Sequence, residues 1–213
     1  MPFPTALQSR VERLWLSLLC GLLAPMPALA GPAEPATERA CTGSQLTPPA
    51  VCTLGDGDIS FAIQATSGSS LNQLRIRPTG LEVDNSDIVT EIDGSAYRAE
   101  LADLDANGWP EIYVYVSSAG SGSYGSLVAY AVNRGKSISP IYLPPLDQSS
   151  DARAGYMGHD VFSVVENRLE RRFPVYRSGD ANAQPTGGTR TLRYRLEPGE
   201  AGWVLVLDEV TAH

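Results

Sequence analysis

From about Asp58 onward the chain is a succession of short runs in which apolar and polar residues alternate with a period of two. Pro110 to Ser117 sets Ile112, Val114 and Val116 on one face and Glu111, Tyr113 and Tyr115 on the other. Leu192, Tyr194 and Leu196 alternate in the same way against Arg193, Arg195 and Glu197. Successive side chains of a strand point to opposite faces, so this pattern predicts strands. Similar runs occur at 60–65, 74–78, 88–92, 97–102, 126–132, 138–143, 161–165 and 169–176. Trp203, Leu205 and Leu207 share a face opposite Val204 and Val206, which predicts a final strand buried on both sides. Turn pairs such as Asp93-Gly94, Asn107-Gly108 and Gly187-Gly188 separate the runs and favour antiparallel pairing. No segment holds a helical period over three turns. The expected fold is all-β: a single-domain antiparallel β-sandwich of eight or more strands over 58–213.

The N-terminal region reads differently. Arg10 and Arg13 precede the apolar run Leu14–Leu23, and Ala28-Leu29-Ala30 puts small residues before a cut ahead of Gly31. This is the layout of a secretory signal peptide over 1–30, and the run is too short to span a bilayer. Cys20 lies in the run, but Leu19 before it does not suit a lipid-attachment signal, so a soluble periplasmic protein is expected. Residues 31–57 form a Pro-rich arm with Pro32, Pro35, Pro48 and Pro49. Cys41 and Cys52 are the cysteines that remain after cleavage, and in an oxidising compartment they are expected to pair.

Cleavage takes Arg10, Arg13 and Glu12 with it, leaving 14 basic against 23 acidic residues, a net charge of −9. Such a surface repels nucleic acid and anionic lipid and favours cationic partners. An exposed strand edge would allow a homodimer.

Several motifs carry chemistry. Gly120-Ser121-Gly122-Ser123-Tyr124-Gly125 fits G-x-G-x-x-G after a strand, but the segment that follows reads as strand where a dinucleotide site requires a helix. No cofactor is expected. Asp103, Asp105 and Asn107, with Gly108 after them, resemble the start of a calcium loop. The acid that should close an EF-hand would be Val114, so a plain turn is the preferred reading; Glu111 could still complete a shorter site. His159 stands beside Asp160, yet neither Ser121 nor Ser123 has the glycine flanks of a nucleophile elbow, so an enzyme is not expected.

Four segments together resemble a known family: Asp103–Tyr115, Ser121-Gly122-Ser123-Tyr124-Gly125, Gly155-Tyr156-Met157-Gly158-His159-Asp160 and Gly187-Gly188-Thr189-Arg190. They look like the periplasmic inhibitors of invertebrate-type lysozyme, over roughly residues 58–210. The resemblance implies a β-sandwich that blocks lysozyme by inserting a Ser-Gly-x-Tyr loop into the active-site groove. Ser121, Gly122 and Tyr124 match that loop, with Ser123 and Gly125 beside them. Tyr156, His159 and Asp160 are then a loop support or a second contact. An acidic inhibitor would be steered toward a cationic lysozyme. The competing expectation is an exported carbohydrate- or calcium-binding β module.

Overall fold

The alternating runs become strands in a computed structural model that describes residues 39–146 and 151–213. The expected signal peptide and residues 31–38 lie outside these. In chain order the strands are β1 (Ala40–Thr42), β2 (Cys52–Asp56), β3 (Ile59–Ala65), β4 (Leu71–Thr79) and β5 (Ile88–Asp93). Next come β6 (Ser95–Ala102), β7 (Glu111–Ser117), β8 (Gly125–Asn133) and β9 (Ser137–Tyr142). The last four are β10 (Val161–Val165), β11 (Arg168–Pro174), β12 (Thr189–Pro198) and β13 (Trp203–Ala212). One helical turn, α1 (Gly43–Leu46), links β1 to β2. The all-β expectation holds.

The strands form two sheets, a four-stranded one in the order β2-β3-β4-β5 and a nine-stranded one in the order β1-β6-β7-β8-β9-β13-β12-β11-β10. Among the described residues the pairing is antiparallel with one exception: β13 runs parallel to β9, with Trp203 opposite Ile141 and Val204 opposite Tyr142. The chain builds β10, β11 and β12 before β13 returns beside β9, and that crossover sets the direction.

The nine-stranded sheet curls until β10, at one end, reaches β6, next to the other end. The edge amides of β10 are taken by side chains of β6: Phe162 N–H donates to the Tyr97 hydroxyl at 3.1 Å, and Val164 N–H to Glu100 Oε1 at 2.8 Å. Glu100 is buried and also accepts from the Tyr115 hydroxyl and from Arg98. Side chains, not backbone pairing, therefore close the curl.

Two cores result. Inside the curl, Tyr113, Tyr115, Phe162, Leu169, Phe173, Leu192 and Leu205 pack together. Between the four-stranded sheet and the outer face of β6 and β7 lie Leu54, Phe61, Ile63, Leu74 and Ile76 against Ala99, Leu101, Ile112, Val114 and Val116. The alternation of β7 thus divides its side chains between the two cores, and the strand is buried along nearly its whole length. β13 departs from expectation. On its outer face Val204 and Val206 are only half-buried, because the covering sheet lies over β6 and β7 and not over β13; on the inner face Leu205 is buried while Leu207, further along, is 39% exposed.

The arm expected over 31–57 is part of the fold from Ala40 onward, so the sandwich begins before residue 58. β1 pairs with β6 and β2 with β3, while Leu46 and Leu54 are fully buried. The Cys41–Cys52 disulfide ties β1 to β2, joining an edge strand of each sheet. Proline-rich composition hid these strands; the buried disulfide and the two leucines hold them in place.

Candidate functional site

The Ser118–Tyr124 segment joins β7 to β8 and projects beyond their last pair, Ser117 and Gly125. Ser118 closes its base from both ends: its N–H donates to the Tyr124 carbonyl at 3.0 Å, and its hydroxyl oxygen accepts the Tyr124 N–H at 2.9 Å. At the tip, Ser123 N–H donates to the Gly120 carbonyl at 2.9 Å, with Ser123 in the left-handed region at φ +43°. Ser121 is exposed, and Tyr124 is 49% exposed.

Two other loops brace this hairpin. His159 N–H donates to the Gly122 carbonyl at 2.7 Å, and Gly125 N–H donates to Asp160 Oδ2 at 2.7 Å. Contact is so close that a β-carbon at Gly158 would lie 2.1 Å from the Gly122 oxygen. From the segment between β11 and β12, Asn182 Nδ2 donates to the Ser121 carbonyl at 2.9 Å. The Asn182 side chain also meets the His159 ring at 3.4 Å, and the Asn182 backbone carbonyl accepts the Tyr176 hydroxyl at 2.8 Å. His159 stacks on Tyr176 with ring centroids 6.3 Å apart. The Asn182 loop has its own turn, since Asp180 accepts the N–H groups of Arg177 and Thr186 at 2.7 and 2.8 Å.

Beneath the hairpin lies a buried charged group. Asp160 Oδ1 accepts Arg171 Nε at 2.7 Å, and Oδ2 accepts the Tyr156 hydroxyl at 2.6 Å in addition to Gly125 N–H. Arg171 donates to the same Tyr156 oxygen at 2.7 Å and lies over the rings of Tyr156 and Phe162 at 5.0 and 5.5 Å. Burial opposes the Arg171 charge, but adjacent Asp160 outweighs it and holds the guanidinium pKa above its ordinary value. Burial first, and then Asp160, push the Tyr156 hydroxyl up as well. Tyr124 meets the edge of Tyr156 at 5.7 Å, and Tyr156 meets Phe173 at 4.7 Å, so the exposed tyrosine stands on a column of rings. Beside it runs an open groove of about 910 Å³ whose lining includes Tyr124, Leu127, Tyr142, Leu146, Tyr156 and Arg171.

The structure therefore brings together Ser121, Gly122, Ser123, Tyr124, Gly125, Tyr156, His159 and Asp160. Arg171 and Asn182 complete the group, and neither was anticipated. Arg171 had a signal in its strand parity, because it shares the inward face of β11 with Leu169 and Phe173. A lone charge on such a face calls for a buried partner. Asn182 had none, because it sits in an irregular segment. The G-x-G-x-x-G stretch leads into β8, a strand and not a helix.

The second group of interest is at the other end of β7, in the turn between β6 and β7. Asp103 accepts the N–H groups of Asn107 and Gly108 at 3.0 and 2.9 Å, and Asn107 Oδ1 accepts the Trp109 N–H at 2.7 Å. Asn107 Nδ2 donates to Asp105 at 2.7 Å. Glu111 Oε2 accepts the Leu104 N–H at 2.8 Å. Burial pushes the Glu111 carboxyl up to about 8, the Leu104 N–H opposing and Asp105 and Asp103 adding to the rise. Compared with protein-family models, curated proteins and solved structures, the chain matches none.

Proposed function

We propose that this protein is an inhibitor of lysozyme, of the invertebrate type, that places the Ser121–Tyr124 hairpin in the active-site groove and so blocks hydrolysis of the wall polymer. One observation carries the reading: a narrow projecting hairpin with a half-exposed tyrosine, braced by two neighbouring loops. A loop already held in one conformation loses little freedom on docking, which favours affinity. Lysozymes present two carboxyl groups in a groove. The Ser121 hydroxyl can donate to such a carboxylate, and Tyr124 combines ring burial with a phenol hydrogen bond. Acidic net charge supports steering toward a cationic enzyme. The Cys41–Cys52 disulfide fits an oxidising compartment such as the periplasm. Among the described residues no helix is long and apolar enough to cross a membrane.

The test is lysis of bacterial cell walls by an invertebrate-type lysozyme titrated with this protein, with chicken-type and goose-type enzymes in parallel. Stoichiometric loss of lysis with the first enzyme alone is the expected result. No effect on any of the three would reject the reading. Tyr124→Ala is expected to weaken inhibition about thirtyfold, about 2 kcal/mol, as truncation of an anchoring tyrosine does. Unchanged inhibition by a folded Tyr124→Ala protein would remove the hairpin from the interface.

A further inference from the structure

The turn between β6 and β7 carries a feature that a plain turn does not explain. Glu111 is only 1% exposed, and its Oε1 has no hydrogen-bond partner among the described residues. The Tyr113 hydroxyl stands beside Glu111 and interacts with it, but short of the distance and angle of an ordinary hydrogen bond, so neither group is fully satisfied. A buried carboxylate oxygen without a donor is costly unless something else satisfies it. That carboxylate is not alone. One oxygen each from Asp103, Asp105 and Glu111 lie within 4.8 Å of one another.

We infer that Asp103, Asp105, Asn107 and Glu111 form a calcium site. Calcium takes oxygen ligands at about 2.3–2.6 Å, so ligands of one ion stand at most about 5 Å apart, and oxygens of Asp103, Asp105 and Glu111 lie within that reach of one another. Magnesium keeps most of its waters and is usually held by one or two carboxylates, whereas three carboxylates converge here. The backbone N–H groups that Asp103 and Asp105 accept do not exhaust them, because each carboxylate oxygen has two lone pairs. Those bonds orient the carboxylates in the turn, and Gly108 at φ +84° allows the chain to double back. Spacing is the second support. Ligands at alternate positions 103, 105 and 107 with an acid at 111 make a nine-residue loop, shorter than an EF-hand, whose closing acid is carried by a core strand. This inference is independent of lysozyme inhibition, because the hairpin lies at the opposite end of β7.

The experiment is calorimetric titration of the chelator-stripped full-length protein with calcium chloride, alongside thermal melts. One equivalent should bind with a Kd at or below about 1 mM, the upper bound for extracellular calcium modules. At about a hundredfold excess over Kd, calcium should raise Tm by about 5 °C. Asp105→Asn and Glu111→Gln should each weaken binding at least tenfold, with the fold of each variant checked by circular dichroism. Asp93→Asn, beside Gly94 at the Ser117 end of β7 and so at the opposite end of that strand, should bind as the parent does. No heat and no shift in Tm with 10 mM calcium would overturn the inference. So would magnesium binding as tightly as calcium, or undiminished calcium binding by folded Asp105→Asn and Glu111→Gln proteins.

Discussion

Asp160 and Arg171 are both withdrawn from water, and a buried ion pair is favourable only when its remaining polar atoms are also satisfied. Here the Tyr156 hydroxyl serves both partners, donating to Asp160 and accepting from Arg171. Tyr156→Phe keeps the ring column but removes that link, and is expected to lower stability by about 1–2 kcal/mol in urea denaturation. An unchanged urea midpoint would mean that water or another group takes over. Gly158 poses the opposite problem. It adopts φ +93° and faces the Gly122 oxygen, so a β-carbon has no room. Gly158→Ala is expected to push the hairpin off its brace, weakening inhibition at least tenfold by the titration described above, while near-ultraviolet circular dichroism of the core stays unchanged. Full inhibition by that variant would show that the brace is dispensable.

Among the elements, β1, α1 and β2 depend most on a single bond. The Cys41–Cys52 bridge closes an 11-residue separation, and loop-closure entropy puts its contribution at about 3 kcal/mol. Replacing both cysteines by alanine should lower stability by about that amount; a loss under about 1 kcal/mol would mean that Leu46 and Leu54 already hold the segment. These were the strands that could not be read in the sequence. β1 has only three residues, too few to show alternation, and Pro48 and Pro49 stand just ahead of β2. Longer strands were plain: the run at 161–165 coincides with β10, and the alternation at 110–117 matches β7 within one residue. What alternation does not encode is the pairing partner. The parallel match of β13 with β9, and the side-chain closure of β10 onto β6 through Tyr97 and Glu100, depend on long-range register and left no local trace. The hairpin was legible because glycine and serine chemistry marks it. Its brace was legible only in part, since Asp160 stood out beside His159 while Asn182 sat in featureless chain.

Across the whole molecule, exposed aspartates set the response to acid. Hydrogen bonds from Arg77 hold Asp87 below its ordinary value of 3.8, those from Arg168 and Arg195 do the same for Asp208, and the N–H groups of Arg177 and Thr186 for Asp180. A carboxyl depressed by folding adds stability above its unfolded pKa and loses it as pH falls through the folded one. Stability should therefore decline below about pH 4, a window in which Glu111 is already protonated in the fold. Urea midpoints at pH 4 and pH 2.5 check this, and a midpoint that rises on acidification would contradict it. At the same scale, β7 belongs to two cores at once. Neither can loosen without stripping one face of the strand they share, so the sheets should melt as one cooperative unit. The amides from Ile112 to Val116 should accordingly be among the last to exchange with deuterated solvent, at the free energy of global unfolding. The hairpin that continues from β7 is then anchored to the slowest-opening strand of the molecule, and a protease would reach that anchor only when the entire protein opens.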